Sequence, residues 1–208
     1  MNLKISLLLS CSKLYQMNVL LFDNHDSFSW NLSHDLERAG ACVSVVRPEE
    51  LDSDLENLLD PFDAIVLSPG PGLPSEAPGL MEVLAAADKT GKPILGVCLG
   101  LQAIVEYFGG EIENMNEVLH GRVGVLQIVE VCDIFENISS GCEVGHYHSW
   151  SVVEASLPSN LKVVARSKTH IVLAISHKTK PILGLQFHPE SVLTAEGRLM
   201  LKNWVKGI

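Results

Sequence analysis

The chain has 208 residues, 47% of them hydrophobic, and a formal net charge of −10. That length suits one domain with a three-layer core. The lack of clustered Lys and Arg argues against nucleic acid as a partner, and no apolar stretch is long enough to cross a bilayer. Five cysteines (Cys11, Cys42, Cys98, Cys132, Cys142) form no CxxC pair, which argues against zinc and against a disulfide framework.

Residues 1–16 contain a short apolar run, Ile5 to Cys11, below the length of a signal-peptide core. We expect a poorly ordered extension there, or a true start at Met17, with one domain over 17–208. Asn18 to Asp23 reads as a buried strand. Ser27 is the expected N-cap of a helix from Phe28 to Ala39, stopped at Gly40. Cys42 to Val46 is β-rich, and Glu49 to Leu59 is an expected helix. Ala64 to Leu67 is a third strand, Leu80 to Lys89 a helix closed by Gly91, and Pro93 to Val97 a fourth strand. This alternation predicts an α/β fold: a mostly parallel central sheet flanked by helices in three layers. After Gly110 the texture changes. Strand-like segments at 123–131, 146–153, 161–167, 171–175 and 182–187 predict a small antiparallel extension. A last helix from Thr194 or Glu196 to Lys206 closes the chain.

Three segments carry chemistry. In Gly96-Val97-Cys98-Leu99-Gly100 an apolar strand ends and an apolar helical run begins, the cysteine form of a nucleophile elbow. The flanking glycines let backbone pass a sharp turn. The thiol then projects at a helix N-terminus, where exposed N–H groups and the dipole favour thiolate. A base is needed, and it usually lies far off in sequence. Of eight histidines, His188 follows the strand run Ile182 to Phe187, at the edge where open α/β sheets build active sites. Glu190, two residues on along extended backbone, can orient the imidazole. The third segment, Ser68-Pro69-Gly70-Pro71-Gly72, follows a buried strand, and its uncovered amides can face a developing oxyanion. The Leu99 amide is the expected second donor.

These segments, with Val19 to Asn31, His120-Gly121 and Tyr147-His148-Ser149, resemble the class I (triad) glutamine amidotransferases. The likeness runs from Met17 to the C-terminus and is nearest to the glutaminase subunit of anthranilate synthase and of aminodeoxychorismate synthase. It implies that Cys98 attacks the glutamine carboxamide, His188 moves the proton and Glu190 orients His188. It implies oxyanion amides at Gly70 and Leu99, and L-glutamine contacts at Gly72, Gln102, Ser149 and Trp150. It also implies that Tyr147 and His148 line the site or the partner face, and that Asp23, Asn24, Asp26, Ser27 and Asn31 form a structural, partner-facing loop. No metal or cofactor is expected in this chain; magnesium is expected only on the partner. That partner is a chorismate-using synthase subunit, and the setting is cytoplasmic. Leu101, Arg122 and His146 depart from the family's usual residues, and bear on partner contact rather than on the reaction. A stand-alone γ-glutamyl cysteine hydrolase and a catalytically silent binding module are the competing readings. The choice between the two chorismate pathways stays open.

Overall fold

The structure, a computed structural model, describes residues 16–51 and 54–208. The expected extension, apart from Gln16, lies outside them. The order of elements is β1 (Asn18–Phe22), α1 (Ser29–Ala39), β2 (Cys42–Val46), α2 (Leu55–Leu59), β3 (Ala64–Leu67), α3 (Leu80–Thr90), β4 (Ile94–Val97) and α4 (Leu99–Tyr107). Then follow β5 (Ile112–Val125), β6 (Gln127–Ile128), β7 (Glu143–Val152), β8 (Leu161–Arg166), β9 (Val172–His177), β10 (Ile182–Leu185) and α5 (Gly197–Lys206).

One eight-stranded sheet runs β2-β1-β3-β4-β10-β9-β8-β6. The first five strands are mutually parallel, and β9, β8 and β6 continue the sheet antiparallel. The central strands are buried on both faces, and for that reason read as unbroken apolar runs. Alternation along them divides the core. Val19, Leu21, Val66, Leu95 and Val97 pack in one cluster with Leu32 and Leu36 of α1 and Met200, Leu201 and Trp204 of α5. Leu20, Phe22, Ile65, Leu67 and Ile94 pack in the other with Leu80, Val83 and Leu84 of α3 and Ile104 of α4. Each such side chain contributes roughly 1.5–3 kcal/mol on burial. Strands β1, β3, β4 and β10 are parallel, so their C-terminal ends lie along one edge of the sheet, where open α/β sheets place their sites.

Local outcomes differ from the sequence-based expectation in four places. Ser27 does not cap α1: the helix begins at Ser29, and the turn before it is held by Asp26 Oδ2, which accepts from the Phe28 amide at 2.6 Å. The helix expected over 49–59 is a single 3-10 turn, Pro48–Glu50, followed by the short α2 capped by the Asp54 carboxylate on the Asn57 amide. A cap starts a new helix, so it breaks the run. The antiparallel region divides in two. Strands β6, β8 and β9 extend the main sheet, whereas β5 and β7 form a separate two-stranded ribbon. Finally, the expected strand 123–131 breaks at Leu126, fully buried, whose amide and carbonyl pair with Cys142 and Gly141 where the chain passes from ribbon to sheet.

The ribbon is tied to the sheet edge by the His188 amide, which donates to the Gly145 carbonyl at 3.0 Å, and by the Gly145 amide, which donates to Thr194 Oγ1 at 2.9 Å. Helix α5 starts against the same turn. A Cβ on Gly197 would overlap the Pro189 carbonyl oxygen, a rigid main-chain atom. Gly197→Ala is therefore expected to lower stability by about 3 kcal/mol, measured as a lower urea midpoint at unchanged slope.

Candidate active site

Cys98 sits between β4 and α4 with φ +52° and ψ −100°, a conformation that side chains other than glycine rarely adopt. The surrounding backbone holds it there. Its amide donates to the Leu185 carbonyl of β10 at 2.7 Å, and its carbonyl accepts from the Gln102 amide at 3.1 Å. A Cβ on Gly96 would lie 2.5 Å from the Gly100 carbonyl oxygen, and one on Gly100 would overlap the Leu67 carbonyl of β3. Both glycines of the elbow are thus required by close approach, as expected from their spacing. Cys98 is 5% exposed and lines a surface cleft.

His188 follows β10, and its Nδ1 lies 2.7 Å from Glu190 Oε1. The link between them is a turn rather than the extended backbone expected: the Ser191 amide and the Thr194 hydroxyl both donate to the His188 carbonyl. That turn folds the carboxylate back onto the ring. Tyr147 and Phe28 pack edge-on against the imidazole, with centroids at 4.9 and 5.9 Å, and His188 is 2% exposed. Burial lowers the basicity of His188, but the facing Cys98 and Glu190 charges outweigh it and push its pKa up to about 10. His188 Nε2 itself has no hydrogen-bond partner among the described residues. Nε2 is buried, on the ring edge opposite the one that Glu190 holds, and Cys98 is the other neighbour that keeps the ring basic.

The Ser68-to-Gly72 loop leaves β3 beside Asn24, which follows β1. The Asn24 amide donates to Ser68 Oγ at 2.8 Å and its Nδ2 to the Ser68 carbonyl at 3.0 Å. A Cβ on Gly70 would lie 2.6 Å from Asn24 Cβ and 2.7 Å from Leu99 Cδ2, so the Gly70 backbone is pressed against the residue after the cysteine. Gly72 has φ +74°, which the turn requires of a glycine. The Gly70 amide has no acceptor among the described residues, and Leu99 begins α4, where an amide has no partner within the helix. Two free amides next to a thiol are the ingredients of an oxyanion site.

Gly70, Gly72, Cys98, Gln102, Ser149 and Trp150, together with Pro71, Tyr147 and His148, line one cleft of about 210 Å³. All four expected contact positions are brought together there. His188 and Glu190 are not among its lining residues. Gln102, 3% exposed, donates from Nε2 to the Trp150 carbonyl at 3.3 Å, so one amide ties α4 to the ribbon.

Three buried residues have roles that sequence reasoning did not assign. His146 Nδ1 lies 3.0 Å from His148 Nε2, and His148 Nδ1 lies 2.9 Å from the Trp150 carbonyl. A carbonyl only accepts, so His148 carries its proton on Nδ1 and His146 must donate to His148 Nε2. The third is Gln186, fully buried, whose Nε2 is 3.8 Å from Cys98 Sγ. Sequence offered a signal for two of them: His146 departs from the family's usual residue, and Gln186 stands two positions before His188 in an otherwise apolar run. Asp23 and Asn24 are buried structural residues rather than partner-facing ones, with Asp23 bonded to the Ser29 hydroxyl and to Arg47 Nε.

Burial, reinforced by neighbouring imidazoles, lowers the pKa of His146 and of His148 to about 4. Between about 4 and the ordinary value of 6.5 the unfolded chain binds protons that the fold excludes. Their contribution to stability is therefore complete above pH 6.5 and is lost as pH falls towards 4. His188 has the opposite sign: its contribution is complete below 6.5 and is lost as pH rises through about 10. Nitrogen NMR of the imidazoles is expected to find His146 and His148 as neutral Nδ1–H tautomers at pH 6; a charged ring on either would contradict the assignment.

Residues 20–208 match the family described as glutamine amidotransferase class-I. The chain is 39% identical over 186 residues to a multifunctional tryptophan biosynthesis protein of Pichia angusta, an overlap that covers 89% of this chain and 50% of that relative. It is 37% identical over 190 residues to anthranilate synthase component 2 of Mycobacterium tuberculosis, with 91% of this chain and 82% of that one covered. Among solved structures, a GMP synthase subunit from Thermoplasma acidophilum matches with a TM-score of 0.80 at 27% identity, over 93% of this chain and 94% of that one. A thiol on a strained elbow, a carboxylate-aligned imidazole and two free amides are what such chains would need to release nitrogen from an amide, and this chain belongs to the class-I glutamine amidotransferases.

Proposed function

We propose that this chain is the glutaminase subunit of anthranilate synthase, with residues 17–208 as one catalytic domain acting without a metal or cofactor of its own. What supports the reading is the strained Cys98 elbow, which lines one cleft with the Gly70 loop and neighbours a His188 held by Glu190. Cys98 Sγ attacks the side-chain carbonyl carbon of L-glutamine. The carbonyl oxygen gains negative charge, and the amides of Gly70 and Leu99 hold it. His188, charged by the thiol proton, gives that proton to the departing nitrogen, and ammonia leaves. Water, deprotonated by His188, then cleaves the γ-glutamyl thioester to glutamate and restores the thiol. Gly72, Gln102, Ser149 and Trp150 hold the rest of the glutamine molecule.

Ammonia at neutral pH is mostly ammonium, a poor nucleophile. The product is useful when it passes through protein to an acceptor site without meeting bulk water. The chain carries no phosphate-binding loop of its own. We take the acceptor to be a cytoplasmic chorismate-using synthase chain, which carries the magnesium. The aminodeoxychorismate synthase pairing would use the same chemistry here, and recovery of the partner from native cells separates the two. No helix among the described residues is long and apolar enough to cross a membrane.

Cys98→Ser is expected to cut glutamine-dependent synthesis by the complex by at least about a thousandfold while ammonia-dependent synthesis persists. Loss of both would assign Cys98 to assembly instead. A second measurement concerns pH. The imidazolium persists up to about pH 10 because Glu190 and Cys98 favour it. Glu190→Gln removes one of those supports, so the alkaline limb of kcat/KM is expected to move to lower pH; an unmoved limb would separate Glu190 from the proton transfer.

A further inference from the structure

Gln186 is 0% exposed, and a glutamine amide placed wholly out of water is strongly unfavourable unless it is hydrogen-bonded. Its main chain is pinned by the Gln186 amide, which donates to the Leu173 carbonyl at 2.9 Å. Its side chain meets two groups. Gln102 Nε2 lies 3.5 Å from Gln186 Oε1, and Gln186 Nε2 lies 3.8 Å from Cys98 Sγ. The first is long for a hydrogen bond; the second is within the reach of N–H to sulfur.

The orientation of both amides follows from one main-chain atom. The Trp150 carbonyl can only accept, and it faces Gln102 at 3.3 Å and His148 Nδ1 at 2.9 Å. Gln102 must therefore present its nitrogen. A nitrogen facing Gln186 requires the Gln186 oxygen opposite it, and this leaves the Gln186 nitrogen aimed at the sulfur. The reversed amide would set two donors against each other and a carbonyl oxygen against the thiolate.

We propose that Gln186 is a positioning residue for the nucleophile: its side-chain amide donates to the Cys98 sulfur, holds the thiol towards the cleft and favours its ionised form. This rests on the reading of Cys98 as the attacking atom. A thiol is a weak acceptor and a thiolate a strong one, so the contact strengthens on ionisation. A hydrogen bond to a charged group contributes about 1.5 kcal/mol at the lower end, equivalent to about one pH unit in the ionisation midpoint. The elbow's helix N-terminus and His188 act on the same sulfur from other sides, so Gln186 supplements them.

The test uses the full chain and two substitutions. Gln186→Met keeps the volume and removes donor and acceptor. Gln186→Leu is slightly smaller and likewise carries neither donor nor acceptor. Melting temperature and circular dichroism establish that each is folded. Iodoacetamide labelling of Cys98, followed by mass spectrometry across pH, is expected to show the labelling midpoint raised by about one pH unit in both Q186M and Q186L. Kinetics with the synthase partner are expected to show kcat lower by about tenfold with KM within about twofold. Packing loss alone would lower the melting temperature and leave the labelling midpoint in place. Superimposable labelling profiles for all three proteins would overturn the inference. The nucleophile itself has a separate check: a glutamine-mimicking electrophile must label Cys98 in the unsubstituted chain. Failure there removes the nucleophile, whereas success there with unmoved profiles removes only the role of Gln186.

Discussion

The backbone at Cys98 is the constraint on which the site depends. A non-glycine residue at φ +52° is costly, about 1–3 kcal/mol for such conformations, and persists only where its surroundings over-determine it. Here the Cys98 amide is held by the Leu185 carbonyl, the helix after it is seated on β3 through Gly100, and Gly96 lets the elbow fold back on itself. The parallel pairing of β3, β4 and β10 makes all three contacts possible at once. The nucleophile is thus mounted on the sheet itself, and the energy that keeps it strained comes from the apolar packing on both faces.

Around that point the site is built from opposed electrostatic demands in a volume with little water. His188 is kept basic by two acidic neighbours, while His146 and His148, in β7, are kept neutral by burial. The two sets are compatible because the neutral pair is anchored on the Trp150 carbonyl, and the charged one is anchored on Glu190. One carbonyl oxygen therefore sets the direction of a hydrogen-bond chain that reaches from β7 through Gln102 and Gln186 to the sulfur. The separate ribbon matters for this reason. Without β5 and β7 laid across the sheet edge, the cleft would lack one wall and the amides their fixed orientation.

Much of this is legible in residues 17–110, where the core strands are apolar without interruption and the helices show their periodicity and glycine stops. The elbow, the Pro/Gly loop and His188 with Glu190 are legible because each demands unusual residues at fixed spacing. The ribbon is harder. Its first strand, Ile112–Val125, carries as many apolar as polar residues in no regular alternation, so only its last positions read as extended. Ser27 reads as a cap, but Asp23 and Asp26, equally capable acceptors, hold the turn instead. Gln186 reads as part of an apolar run, since nothing in a linear order says which neighbour a buried amide will meet.

By itself the sequence determined which chemistry is available: a thiol at a strand-to-helix turn, an imidazole and carboxylate two residues apart, and free amides in a glycine loop. Those are local facts, set by backbone sterics and residue type. Tertiary structure alone decided that Cys98, Gln102 and Ser149 line one cleft, that Gln186 lies against the sulfur, and which way two carboxamides point. Such relations join segments up to 88 residues apart, and only the pairing of β4 with β10 and the seating of the ribbon bring them within bonding distance.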